Sequence, residues 1–375
     1  MFQKLDKQQY QSVESLFAGI PYGVSLRALL AGINPGQIFV DDTSLPKTAF
    51  ALTVDGYYLA GDYSDAQTRA DLSRFLRDKI FTGEVFTGTD FWMMLALQPI
   101  EWEHYLPEII PTHEPEKVHR YQYCCDHLGY DWRTNLPDGF QMVPLVEILS
   151  GTVKADIPDA LQGEVSLASL WGSIDGYIRQ GMGMAVIHNE QAVTICRAVC
   201  ATHDTLEIGI DTLPAFRHRG LAAAATAATV EQGLRQGFRQ ISWQCDFDNT
   251  GSWKTAEKVG FIRCNEYDFF DYIFDAGDQL AQLGYRAYLN KDYPKCIDYY
   301  LRAFPLQQEK QPSDRYFLAA AYASLGARKN SGKFLQAAAG TGWHSVERTE
   351  KTPSFTFLHG TQEWEDILQE IRGKA

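Results

Sequence analysis

The sequence lacks any uninterrupted run of eighteen apolar residues, so it offers no candidate membrane-spanning helix. Its opening stretch, Met1 to Phe17, alternates charged and apolar positions and lacks the continuous apolar core of a secretory signal. Positive charge is scarce: 34 Lys and Arg stand against 47 Asp and Glu, a net charge of −13 with histidine neutral. Binding to nucleic acid or to an anionic membrane surface needs an excess of cations to neutralise phosphate, so neither is expected as a general property. A local basic patch is compatible with the balance. Cysteine is sparse too, with seven residues (Cys124, Cys125, Cys196, Cys200, Cys245, Cys264 and Cys296) in an odd, scattered set that does not read as a disulfide framework. Neither Cys124-Cys125 nor Cys196 and Cys200 has the C-x-x-C spacing or a second cysteine pair beside it, so a zinc site is not expected either. The expectation is of reduced, mostly buried thiols, no bound metal and a cytoplasmic location.

What is present fits a folded chain. At 375 residues the length allows two or three domains, and 45% apolar with 22% charged residues can bury a core. The last hundred residues carry a repeat: Ala287-Tyr288 returns as Ala321-Tyr322, Tyr300-Leu301 as Phe334-Leu335, and Ala303 as Ala337. Each pair is 34 positions apart, the period of tetratricopeptide helix pairs, in which small residues let two helices approach and aromatics fill the gap. Helices are predicted over 278–290, 293–305, 313–325 and 329–339, followed by a capping helix that puts Trp364, Ile367, Leu368 and Ile371 on one face. Such a tail serves either as a stabilising appendage or as a groove for a protein partner.

Between about 140 and 275 the pattern is α/β. Met182 to Ile187 and Ala192 to Arg197 read as a hairpin turning at Asn189-Glu190, followed by a strand from Asp204 to Thr212. Leu221 to Gly237 is rich in alanine and free of proline, a strong helix signal weakened slightly by Gly233. A strand over Gln240 to Cys245, a helix over Ser252 to Val259 ended by Gly260, and a strand led by Phe261 complete the region. The first 140 residues repeat this order in outline. Strands are predicted at Gln37 to Val40, Thr48 to Leu52, Tyr57 to Ala60 and Phe91 to Leu97, with a helix capped at Ser64 and running to about Ile80. No motif for chemistry emerges there; Asp41, Asp42 and Asp90 read as solvated turn acids rather than a carboxylate site.

The informative stretch runs from Glu207 to Ala222, where a strand enters a loop and Arg217, Gly220 and Ala222 open the long helix. The first turn of a helix has N–H groups without internal partners and a positive dipole end, so a diphosphate can take those donors if no bulky side chain blocks it. Gly220 and Ala222 supply clearance, and Arg217 and Arg219 supply charge. An ordinary strand-loop-helix link with surface arginines is the competing reading. The Arg-x-x-Gly-x-Ala pattern between strand and helix resembles the pyrophosphate loop of the GNAT superfamily of acyl-CoA-dependent N-acetyltransferases. Asn249, Ser252, Lys258, Gly260 and Phe261 follow at the spacing of that superfamily's second element. More narrowly, Glu207 to Thr212, Trp243 and the early Asn34-Pro35-Gly36, Val40-Asp41-Asp42 and Tyr58 to Gly61 are similar to the zwittermicin A resistance type.

The resemblance implies tandem GNAT folds: a degenerate N-terminal half over 1–135, an acetyltransferase half over 136–276, and a helical tail over 277–375 outside the resemblance. It implies acetyl-CoA as co-substrate, held by Ile210, Thr212, Arg217, His218, Arg219, Gly220, Leu221 and Ala222, with Asn249 and Ser252 beside the pantetheine arm. The acceptor would be a small-molecule primary amine. Glu207 occupies the strand where some members carry a catalytic glutamate, with Asp211 as second choice; a structural role as partner of a core hydroxyl is the competing reading for Glu207. One departure is plain: many members have a Tyr four residues before the Gly of Gly-Phe, and this chain has Ala256. That leaves room for a second function, an acyl-CoA-binding sensor or scaffold with little turnover that uses its tail for protein interaction.

Overall fold

The computed structural model describes residues 1–85, 91–161, 166–307 and 311–373 and divides into two compact units. The first comprises Met1–Ile110 with Lys117–Asp271, the second Pro111–Glu116 with Tyr272–Ala375.

The first unit is built on one mixed sheet of twelve strands. Its strands are β1 (Gln3–Lys4), β2 (Gln37–Val40), β3 (Thr48–Thr53), β4 (Gly56–Gly61), β5 (Trp92–Gln98), β6 (Glu116–Cys125), β7 (Gln141–Pro144), β8 (Gly183–His188), β9 (Gln191–Ala201), β10 (Thr205–Thr212), β11 (Gln240–Asp246) and β12 (Ile262–Ile273). Their order is β1-β2-β3-β4-β5-β12-β6-β11-β10-β9-β8-β7. The last strand of the chain therefore lies in the middle, between β5 and β6, and makes two half-sheets continuous. The fold class is the expected α/β one, a mixed sheet with helices, followed by a helical stretch.

Local chemistry accounts for the elements. Asn189 and Glu190 both take positive φ, as the two-residue turn of the β8–β9 hairpin requires. Of the helices that matter here, α1 is Val24–Leu30, α2 Ala66–Phe75, α3 Leu221–Arg235 and α4 Thr250–Val259. The cap of α2 is Asp65, not Ser64: the Asp65 carboxylate accepts from the Thr68 N–H, whereas Ser64 donates its own N–H to Asp62. The run of small residues in α3 is buried, and Gly233 explains itself there, because a Cβ at that position would stand 2.8 Å from Ile241 Cδ1. Asp41 and Asp42 accept from backbone N–H groups of Lys47, Thr48, Ser44 and Leu45, as turn acids do, and Asp90 lies outside the described residues.

The expectation of reduced thiols throughout needs correction. Cys124 and Cys264, 140 residues apart in sequence, form a disulfide. The cause is topological: β6 and β12 are neighbours in the sheet, which brings the two Cα atoms to 6.0 Å. The other five cysteines are free and buried.

The second unit is helical: α5 (Ala276–Leu289), α6 (Tyr293–Ala303), α7 (Pro312–Ser324), α8 (Arg328–Gly340), α9 (Val346–Lys351) and α10 (Gln362–Arg372). Gly284 on α5 lets the buried ring of Tyr300 on α6 approach, since a Cβ there would lie 3.1 Å from it. Tyr322 and Phe334 stack between α7 and α8 at 5.7 Å. Trp364, Ile367, Leu368 and Ile371 are all buried, on the predicted face of α10. The segment Pro111–Glu116 is held in this unit by Gln279, which donates to the Glu114 carbonyl, and by Tyr299, which donates to its carboxylate. No described helix is long and apolar enough to cross a membrane.

Candidate active site

The centre of the second half-sheet is interrupted by a divergence of two parallel strands. Strands β10 and β11 pair only through Thr205, Leu206 and Glu207 against Gln240, Ile241 and Ser242. β10 continues to Thr212 bound to β9, and β11 to Asp246 bound to β6, with no further register between them. A crevice at the carboxyl ends of parallel strands is where α/β sheets take ligands. Glu207 stands at its apex, opposite Ser242.

From the end of β10 the chain reaches α3 through Leu213 to Gly220. Gly220 is the N-cap residue with φ 79°, a left-handed conformation that a side chain would resist, and no side chain caps the helix. His218 also takes positive φ, 62°. The first-turn N–H groups of Leu221, Ala222 and Ala223 have no backbone acceptor, so they are open to an external one. Arg217 donates from Nε to the Thr212 carbonyl at 3.2 Å, and Arg219 reaches the Ala215 carbonyl and lies over the Phe216 ring. Both arginines and His218 are exposed, and neither arginine has a carboxylate partner among the described residues. The Thr212 hydroxyl shares a hydrogen bond with Thr194, and Ile210 packs half-buried against the core.

Asn249 and Ser252 have visible structural duties. Asn249 caps α4, its Oδ1 accepting from the Ser252 N–H at 3.1 Å, and the Ser252 hydroxyl accepts from the indole of Trp243 at 2.9 Å. Ala256 is fully buried in the same helix. Asp211 is tied to Arg197, with Oδ2 2.7 Å from Nη1.

Glu207 is only 2% exposed, and its Oε2 has no hydrogen-bond partner among the described residues. Burial pushes its carboxyl up to about 8; the neighbouring Asp55 carboxylate adds to the rise, while Ser242, Gln244 and Arg120 oppose it. An unpaired buried carboxyl oxygen costs free energy unless something else uses it. Sequence reasoning missed its surroundings. Asp55, in the β3–β4 turn, and Tyr22, just before α1, come from the first half of the chain, which looked devoid of chemistry. Tyr22 stacks on Tyr267 with ring centroids 3.7 Å apart, and Tyr58 bonds to Ser25 of α1. Only the sheet order could have signalled this, because β12, which carries Tyr267, sits between the two half-sheets.

Comparison with known proteins agrees with this architecture. The chain is 24% identical over 272 residues to the uncharacterized N-acetyltransferase YdfB of Bacillus subtilis, covering 72% of this chain and 98% of that one. A shorter likeness, 35% over 72 residues, links it to the uncharacterized N-acetyltransferase YjdG of the same organism, covering 18% of this chain and 43% of that one. Among solved structures, a GCN5-related N-acetyltransferase-like protein from Streptococcus suis 89/1591 superimposes with a TM-score of 0.52 at 22% identity, over 70% of this chain and 98% of that one, a likeness of fold. Residues 14–270 match the GNAT acetyltransferase family, so the chain that builds this split sheet belongs to that family and is a GNAT N-acetyltransferase.

Proposed function

We propose that the protein transfers the acetyl group of acetyl-CoA to the primary amine of a small molecule by direct attack, with Glu207 as the base. The observation that carries this reading is the buried, unpartnered Oε2 of Glu207 at the apex of the β10–β11 split. The co-substrate's pyrophosphate would take the free N–H groups at Leu221 and Ala222 and the charge of Arg217 and Arg219, with His218 flanking it and Gly220 leaving room. Its arm would run along Ile210 and Thr212 towards Glu207, with Asn249 and Ser252 on the opposite side of the split. The amine loses a proton to Oε2 as its nitrogen attacks the thioester carbonyl. The C–N bond forms, the C–S bond breaks, and the CoA thiolate leaves. Ala256 offers no acid to that sulfur. The net charge of −13 suits a cationic amine acceptor, such as a polyamine or an aminated antibiotic.

On this reading residues 1–135 form a GNAT-like half without a phosphate loop, 136–276 the catalytic half, and 277–375 a tetratricopeptide-like tail that offers a surface to a protein partner. Ala256 favours one alternative, an acyl-CoA sensor with little turnover. Calorimetry with acetyl-CoA, exchange protection of the 217–222 backbone, and thiol release with a panel of amines form the test. Binding with protection and thiol release is expected; binding without release would leave the sensor, and no binding would sink both.

A further inference from the structure

Two hydrogen-bonded chains of fixed direction end at Glu207. In the first, Asn265 on β12 donates from Nδ2 to Gln122 Oε1 at 2.6 Å, and Gln122 on β6 donates from Nε2 to Ser242 Oγ at 2.9 Å. Ser242 is fully buried, and its oxygen is already taken as the acceptor. Its own proton must therefore go elsewhere, and the carboxyl beside it is that of Glu207. In the second, the Tyr267 hydroxyl donates to Gln244 Oε1. With its oxygen so held, the Gln244 amide presents NH2, one proton reaching the Tyr22 carbonyl at 3.4 Å and the other free for the neighbouring Glu207.

An amide has unlike ends, and a donor fixed on its oxygen dictates where its NH2 points. Turning the Gln122 amide over would set NH2 against the NH2 of Asn265, and turning Gln244 over would set its oxygen against the Tyr22 carbonyl. With Asn265 donating, the first chain runs towards Glu207, and the Tyr22 carbonyl sets the direction of the second. We propose that Gln122 and Tyr267 are positioning residues for the Glu207 carboxylate: through Ser242 and Gln244 they deliver donors to one side of it and keep Oε2 clear for the acceptor amine. This rests on the reading of Glu207 as base. Donors of this kind favour the ionised form and so work against the burial of the group. The other titratable groups facing Glu207 are Asp55 of the β3–β4 turn, Arg120 of β6, Cys200 of β9, Cys245 of β11 and Tyr267 itself. Arg120 is drawn partly towards Asp246, 2.9 Å away, and among the described residues Glu207 has no ion pair of its own.

The test is a titration of the full chain labelled with carbon-13 at glutamate carboxyls, with the Glu207 resonance identified by its loss in Glu207→Gln. Gln122→Leu and Tyr267→Phe, both neutral changes, are each expected to raise the midpoint by about one pH unit, the worth of a hydrogen bond to a charged group. Asn265→Ala, at a partly exposed position, frees the Gln122 amide to turn and is expected to raise it by less; it serves if Gln122→Leu does not fold. An unmoved or lowered midpoint in the folded variants overturns the proposal. The pH profile of thiol release, taken in parallel, separates the two ideas: full release by Glu207→Gln would dismiss the base while leaving the positioning result standing.

Discussion

Glu207 is a carboxyl with an ordinary value near 4.3 in an unfolded chain and about 8 where it is buried. Only the ionised form accepts a proton, so transfer is expected to climb with pH through about 8, and a profile flat from pH 6 to 9 would contradict the assignment. Glu207→Gln should lower the rate by about 10²- to 10⁴-fold, the usual worth of a general base. The same group has a consequence for stability. Between the two pKa values the folded chain holds a proton that the unfolded chain has lost, so stability is greatest at low pH, declines as pH rises towards 8, and is level above it. Glu207→Gln removes that decline and should gain on the parent by on the order of 4 kcal/mol between pH 5 and pH 9, read by urea unfolding at both. At the other end of the site, Gly220→Ala forces a side chain into a left-handed position at about 1–2 kcal/mol. Calorimetry should find weakened acetyl-CoA binding, and more so for Arg217→Ala in combination.

Helix α4 is where capping decides stability. Asn249→Ala removes the side-chain bond to the Ser252 N–H that caps its first turn and should cost about 1 kcal/mol, seen as a lowered Tm whether or not acetyl-CoA is present. Ser252→Ala leaves the part-buried Trp243 indole without its acceptor, at about 1–3 kcal/mol. Elements of this kind were legible in sequence because their signals are local: Gly260 ends α4 at φ 115°, the Asn189-Glu190 turn fixes the hairpin, and the alanines of α3 announce a buried helix. The Arg217 to Ala222 loop was legible for the same reason. What could not be read was whatever depends on which strands meet. The disulfide, Asp55 beside Glu207, and Tyr22 on Tyr267 each join residues more than a hundred positions apart. One local choice also went the other way: Asp65 took the cap of α2 because it stands three residues before the Thr68 N–H, while the Ser64 N–H is spent on Asp62.

At the scale of the molecule, all the residues assigned to acetyl-CoA and to Glu207's surroundings lie in the first compact unit. A chain ending at residue 275 is expected to bind acetyl-CoA as the full chain does, and loss of binding in a folded truncation would tie the helical unit to the site. The six residues Pro111–Glu116 would lose their partners Gln279 and Tyr299 in such a chain, so the cut should be compared with one that also replaces that segment. Placing β12 in the middle of the sheet has a consequence for how the protein is made. Until residue 273 has left the ribosome, β5 and β6 lack the complete strand between them, and both present unpaired backbone to their surroundings. Closing the sheet then waits on contacts between ends of the chain far apart in sequence, which are slow to form. The nascent protein therefore passes through a long period with two open edges, and a stalled or prematurely ended chain is the form that chaperones would have to shield.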